Sequence, residues 1–250
     1  GGWPGIFSVS RENALKLPRN FYEGLIYDDI NRVFKNRKNP DRLKRIMRAY
    51  ARMESSRVSL ETLTDDLKSN EGTSIDKRTV SSYIEALKRL YVIEEMPAWN
   101  PNLRSKTAIR TVNTRHFTDP SIACAALGIG PEDLIHDMKT FGLLFESMCV
   151  RDLRVYAQVL DGEVYHYRDH SGLEADAVVH LRNGKWGAVE VKLRSEDSID
   201  EGARNLLRLA KKIDQHKMPP PSFLMVLTAT EFAYRREDGV YVVPVGCLAP

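Results

Sequence analysis

The stretch LEADAVVHLRNGKWGAVEVKL, residues 173–193, decides the fold. Successive strand side chains point to opposite faces. In its first half, Glu174, Asp176, Val178 and His180 therefore share one face. In its second half, Trp186, Ala188, Glu190 and Lys192 share one face, and Val189, Val191 and Leu193 form the opposite row, expected to face the core. The connection is Arg182-Asn183-Gly184. A two-residue Asn-Gly turn would set Asp176 opposite Val191. A three-residue loop with Gly184 in the left-handed region would set Asp176 opposite Glu190 and Glu174 opposite Lys192. Since a one-residue slip inverts every side chain, the loop decides the chemistry. The three-residue form is predicted, because only it keeps valines with valines and carboxylates with carboxylates.

Carboxylates facing each other across a strand pair repel. A cation relieves that repulsion, and hard oxygen ligands of this kind suit Mg²⁺ (or Mn²⁺), which takes few carboxylates and keeps several waters. Asp176 and Glu190 are the candidate metal ligands. Lys192, two residues past Glu190, is placed to orient a nucleophile or steady charge on a transferring phosphate. A third acid is offered by Glu146, in the helical stretch LLFESMC. The catalytic set so read is Asp176, Glu190, Lys192 and Glu146. The competing reading is a cross-strand salt bridge between Glu174 and Lys192.

Outward from the hairpin, residues 131–250 form the third part of the chain. EDLIHDMKTFGLLFESMCVRDLRVYAQVL reads as one long helix, EVYHYRD as a strand, and SIDEGARNLLRLAKKIDQH as a helix with Ser198 as N-cap and Glu201 completing a capping box. FLMVLTAT and GVYVVPV are further strands. The order is αβββαβ with one extra strand. Residues 41–130 carry DRLKRIMRAYARM, with Asp41 as N-cap, then SLETLTDDLKS with Ser59 or Ser56 near its start, then the amphipathic IDKRTVSSYIEALKRL with its stripe Val80, Ile84, Leu87 and Leu90. Two strand-like runs, YVIEEM and TAIRTVNTRHF, follow. Three helices and a ribbon are the order of a winged helix. Its third helix would offer Lys77, Arg78, Ser81 and Ser82 to nucleic acid, and its wing Arg104 and Lys106. Winged helices also serve as protein-binding modules, and Asp76, Glu94 and Glu95 suit phosphate poorly. Residues 1–40 hold a helical stripe of Phe21, Leu25, Ile26, Ile30 and Phe34 behind the turn-rich GGWPG, an odd beginning for a domain. The fold class is α/β in the broad sense, α+β overall.

Composition narrows the field. The net charge of +3 neither requires nor forbids a nucleic-acid partner, so clustering of Lys and Arg is what counts. Three widely spaced cysteines cannot make a disulfide framework, which points to a reducing, cytoplasmic setting. No apolar run reaches membrane-spanning length. The histidines lack ligand spacing, and neither a phosphate-cradling Gly-rich loop nor an acyl-transfer elbow occurs.

GLLFESMCVRDL, VYHYRDHSGLEADAVV and WGAVEVKL resemble the C-terminal domain of a large prokaryotic family of AAA-type ATPases, a domain with a PD-(D/E)XK nuclease-like (restriction-endonuclease-like) fold. GGWPG, FYEGLIYDDI and TVSSYIEALKRLYVIEEMPAWNPN resemble the linker and winged-helix region of the same family. The resemblance implies nuclease-core roles for Asp176, Glu190 and Lys192, and for Glu146 as the helix acid. It implies DNA as partner and an ATPase module in cis or in trans. That module lies ahead of GGWP in the family and its motifs are absent here, so ATP hydrolysis by these residues is not expected. Two functions follow as expectations: a Mg²⁺-dependent nuclease delivered by a winged helix, or a non-catalytic DNA-binding or regulatory arm of an ATPase.

Overall fold

The computed structural model describes residues 2–33, 38–101, 112–214 and 216–248. The chain divides into two compact units, Gly1–Glu95 with Arg115–Ser147, and Met96–Thr114 with Met148–Pro250.

The first unit opens with α1 (Arg11–Gly24), which runs through a π-helical turn at Leu25–Asp29 into α2 (Ile30–Val33). Leu25, Ile26 and Ile30 of the expected stripe are buried, whereas Phe34 lies outside the described residues. The helix begins well before the expected stretch, where Ser10 accepts from the Asn13 amide. In α3 (Pro40–Arg52), Leu43, Ile46, Met47 and Tyr50 recur at helical spacing and are fully buried. Its N-cap is Asn39, not Asp41: Asn39 Oδ1 accepts from Arg42 N at 3.0 Å, and Pro40 takes the first helical position, which needs no amide. Ser59 caps α4 (Leu60–Glu71) and Asp76 caps α5 (Lys77–Arg89). Val80, Ile84 and Leu87 of α5 enter the core as expected, and Tyr83 joins them. The ribbon β1 (Ile93–Met96) and β2 (Thr114–Phe117) follows, with Ser56 bridging Arg115. The helix–helix–helix–ribbon order read from the sequence is present. Next come α6 (Pro120–Leu127) and α7 (Pro131–His136).

The long helix expected over residues 132–160 is two helices. Asp137 leaves helical geometry at φ −123°, ψ 77°, and its carboxylate accepts from Thr140 N (3.1 Å) and Thr140 Oγ1 (2.6 Å). It thereby caps α8 (Met138–Val159). An apolar pattern that runs through such a cap hides it.

In the second unit, β3 (Gly162–Arg168), β4 (Glu174–Leu181), β5 (Trp186–Lys192), β6 (Phe223–Thr228), β7 (Tyr234–Arg235) and β8 (Tyr241–Pro244) form one sheet in the order β3-β4-β5-β6-β8-β7. Strands β3, β4 and β5 are antiparallel neighbours, whereas β5–β6 and β6–β8 are parallel. The β5–β6 crossover is α9 (Glu196–Lys212), since parallel neighbours need a long connection. Helix α9 starts three residues before the expected cap, at Ser195, and places Glu196 and Asp197 in its first turn, where the helix dipole favours anions. Ser198 Oγ donates to Ser195 O at 2.7 Å instead of forming the expected capping box. At one end of the sheet, residues 97–99 run beside β3: His166 N donates to Pro97 O (3.0 Å) and Trp99 N to His166 O (2.6 Å). Among the described residues no helix is long and apolar enough to cross a membrane. No disulfide joins the three cysteines among the described residues.

The first unit also buries an acid. Glu54 Oε1 accepts from Ser147 Oγ (2.5 Å) and Phe117 N (2.9 Å), and Ser147 Oγ lies 3.2 Å from His116 Nδ1. Glu54 Oε2 is buried without a hydrogen-bond partner among the described residues. Burial pushes the carboxyl up from 4.5 to about 8, against the donors on Ser147 and Phe117. A raised carboxyl pKa means that the folded chain keeps a proton the unfolded chain has lost. The contribution of Glu54 to stability therefore falls as pH rises from about 4.5 to about 8. We expect Glu54→Gln to flatten that part of the stability–pH curve and to be more stable than wild type above pH 8. Urea-unfolding midpoints of both proteins across this range check it.

Candidate functional site

The hairpin closes as the sequence predicts. Leu181 N donates to Lys185 O (2.8 Å) and Gly184 N to Leu181 O (3.0 Å) around the loop Arg182-Asn183-Gly184. Gly184 has φ +84°, the left-handed conformation that glycine takes without steric cost. The ladder runs from His180↔Trp186 to Ala177↔Val189. The paired rungs end there; continued by one residue, the same register would bring Asp176 opposite Glu190. There the backbone ladder gives way to a side chain, as Val191 N donates to Asp176 Oδ2 at 2.7 Å.

One part of the expectation is corrected. The Val189–Val191 row is not the sole core-facing side, because every residue from Trp186 to Val191 is buried. Strand β5 lies inside the sheet between β4 and β6, and its Glu190 face lies under α9, where Trp186 and Ala188 pack with Ile199, Ala203, Leu206 and Leu209. A strand with helix-covered parallel pairing is buried on both sides. Glu190 thus stands at the end of an apolar row.

A carboxylate in that place is costly unless it is paired or protonated. The Glu190 side chain is 2% exposed. Its Oε2 lies 2.9 Å from Lys192 Nζ, and its Oε1 is buried with no hydrogen-bond partner among the described residues. Burial raises the Glu190 pKa to about 8, the charge of Asp176 adds to the rise, and Lys192 opposes it. Lys192 is held above its ordinary value: burial alone would lower it, but Glu190, Asp176 and Glu201 together favour the ammonium. Asp176, Glu190 and Lys192 therefore form one electrostatic unit.

Helix α9 makes room for that unit at Gly202. A Cβ there would stand 3.2 Å from Glu190 Cβ and 3.3 Å from Lys192 Cε. The sequence reading missed this residue, since a glycine inside a helical pattern gives no sign of what it faces. Asp169 was missed too. Its carboxylate accepts from Tyr167 OH (3.0 Å), Ser171 N (2.7 Å), Ser171 Oγ (2.6 Å) and Lys212 Nζ (2.5 Å), so it fastens the loop ahead of β4 to the end of α9. Burial would raise its pKa, but these donors hold it well below the usual carboxylate range. The YRD-x-x-G string was its signal, with Gly172 at φ +81° closing the turn.

Of the other expected residues, Glu146 lies on α8 within the first unit, while Asp176, Glu190 and Lys192 belong to the second. Among the described residues no group of three or more His, Cys, Asp or Glu side chains is arranged to hold a metal ion. The acids brought together at the hairpin are the pair Asp176 and Glu190. Lys77, Arg78, Ser81 and Ser82 line one shallow groove on α5, together with Leu60 and Glu85. Within it Lys77 pairs with Glu61, and Lys38 Nζ donates to Ser82 Oγ. Arg104 and Lys106 lie outside the described residues.

A family model described as Domain of unknown function (DUF8612) matches residues 1–133, and one described as Domain of unknown function (DUF4143) matches residues 141–248. No curated protein matches the chain. Among solved structures, the chain is similar to one in a refined half-complex from the tetradecameric assembly of Thermococcus gammatolerans McrB AAA+ hexamers with bound McrC. The identity is 13%, the match covers 83% of this chain and 72% of that chain, and the TM-score is 0.28.

Gly202→Ala provides a check on the packing. Helix propensity alone would stabilise this change by about 1 kcal/mol. We expect no such gain, because the methyl meets Glu190 and Lys192, and Gly202→Val should cost about 1–3 kcal/mol through overpacking. Thermal unfolding of both variants reads the difference.

Proposed function

The chain belongs to the DUF8612 family over residues 1–133, a membership that states no activity, and from that premise we propose a metal-dependent nuclease-like function for its second unit, acting on DNA beside a winged-helix-like DNA-binding segment. The observation that carries the proposal is the hairpin pair. Asp176 follows the last paired rung of β4 and its charge acts on Glu190, one buried Glu190 oxygen has no hydrogen-bond partner among the described residues, and Lys192 is 2.9 Å from the other. A divalent cation would satisfy that oxygen and relieve the repulsion between the two acids. Mg²⁺ (or Mn²⁺) fits this donor set, since it binds through one or two carboxylates and retains waters. Asp176 and Glu190 would hold it. Bound there, the ion would lower the pKa of a water and draw charge from a phosphodiester.

The remaining chemistry belongs to the chain's own groups. The Val191 amide fixes the Asp176 carboxylate by its hydrogen bond to Oδ2, so that acid is oriented before any ligand arrives. Lys192 keeps its proton and offers an ammonium to charge that develops on a phosphate. Burial and the charge of Asp176 hold the Glu190 carboxyl above its ordinary value, so a divalent cation facing it would favour its ionised form. The resemblance to the C-terminal region of AAA-type ATPases supports an ATPase module as a partner in cis or in trans.

Wild-type protein is expected to nick supercoiled plasmid or degrade single-stranded DNA in Mg²⁺ or Mn²⁺, and Asp176→Ala to lose at least about a hundredfold of that rate, the scale of a lost charge-stabilising group. Equal cutting by both proteins, or none by either, would overturn the catalytic reading. Calorimetric titration with Mn²⁺ of wild type, Asp176→Ala and Glu146→Gln separates binding from chemistry.

A second reading is a non-catalytic DNA-binding or regulatory arm. It is favoured by the two-carboxylate site and by the groove on α5, where Lys77 and Arg78 lie side by side. Phosphate contacts make affinity fall with salt, by roughly one unit of log–log slope per contact. Replacing Lys77 and Arg78 by Ala should flatten the slope measured by gel shift at several salt concentrations. An unchanged slope would assign the groove to a protein partner.

A further inference from the structure

The first unit contains a cavity of about 710 Å³, away from the α5 groove. Helix α1 forms one wall with Leu15, Pro18 and Tyr22, and α6 and α7 supply Ala125, Ile129 and Leu134. Its volume falls within the range of small-molecule sites, and apolar side chains contribute part of its lining. Its polar groups are not balanced in charge. Arg19, Lys44 and Arg48 stand on the lining against the single acid Glu23. Among the described residues, Lys44 pairs with no carboxylate and Arg48 shares one. Glu23 answers Arg19 at 3.2 Å across one exposed helical turn. Glu71 divides its carboxylate between Arg52 (2.8 Å) and Arg48 (3.3 Å). Lys44 rests on the ring of Tyr27 and donates to its hydroxyl at 2.6 Å. The Tyr22 hydroxyl, raised to about 12 mainly by burial, stays a neutral donor and acceptor at the same wall.

We propose that this cavity binds a small amphipathic anion, a carboxylate or sulfonate on an apolar body, whose chain lies along Leu15, Ile129 and Leu134 and whose head meets Lys44 and Arg48. Apolar burial supplies the affinity, and the cation excess chooses the sign of the head. A neutral analogue loses the second contribution and keeps the first. This site is separate from the hairpin pair and does not rest on the nuclease reading.

The test uses the full chain with dodecanoate and dodecanol as probes, both below their aggregation limits, read by isothermal titration calorimetry. Dodecanoate is expected to bind at one site per chain, and dodecanol about tenfold more weakly. Lys44→Glu should weaken dodecanoate about five- to tenfold, the scale of reversing one partly exposed charge, and leave dodecanol unchanged. Arg19→Glu, on the exposed flank of α1, should act in the same direction. Ala125→Phe, which fills the cavity, should weaken both probes, with the circular dichroism spectrum confirming that the variant is folded. Absence of dodecanoate binding, equal affinity for the two probes, or binding indifferent to Lys44→Glu, Arg19→Glu and Ala125→Phe would each overturn the proposal.

Discussion

The second unit turns on one constraint: a carboxylate on an interior strand must find a counter-charge or keep its proton. Glu190 meets it with Lys192 on one oxygen and nothing among the described residues on the other. The elements around it follow from that requirement. The three-residue loop at Gly184 fixes the register that brings Asp176 to its side. Helix α9 covers it with a glycine, where an added Cβ would crowd both Glu190 and Lys192. Buried ion pairs gain little net stability over an apolar core. At the end of the row Trp186–Ala188 a hydrophobic residue would serve folding as well as this pair does.

The hairpin was legible in the sequence because its information is local. Alternation assigned the faces, and Arg182-Asn183-Gly184 assigned the register, all within residues 173–193. The burial of both faces of β5 was not legible, because it depends on β6, which pairs with β5 only after the whole of α9. Helix interiors were legible for the same local reason, as the fully buried residues Leu43, Ile46, Met47, Val80 and Leu87 show. Helix starts were less so. Asn39 and Ser195 each precede, by two or three residues, the capping residue that was expected, and Asp137 sits inside an apolar pattern that reads straight through it.

The candidate site was half legible. Asp176, Glu190 and Lys192 share a hairpin and so share a spacing rule, whereas Glu146 belongs to the other compact unit. Glu54 gave no sequence signal. An acid just after a helix reads as exposed, and only the approach of Phe117 and Ser147 from far along the chain makes it interior. Asp169 lay within a quoted string, yet its partner Lys212 is 43 residues away.

The two flanks of the six-stranded sheet differ from its middle in one respect. Strand β7 has only two residues, and Arg235, Arg236, Glu237 and Asp238 follow one another there. On the other flank, residues 97–99 occupy backbone groups of β3 at His166, and the register of β3 shifts between Tyr165 and Tyr167. Open strand edges recruit other strands, and short, charged, bulged or covered edges discourage it. Over the described residues this unit therefore offers foreign strands poor templates on either flank, which favours association through side-chain surfaces over lengthening of the sheet.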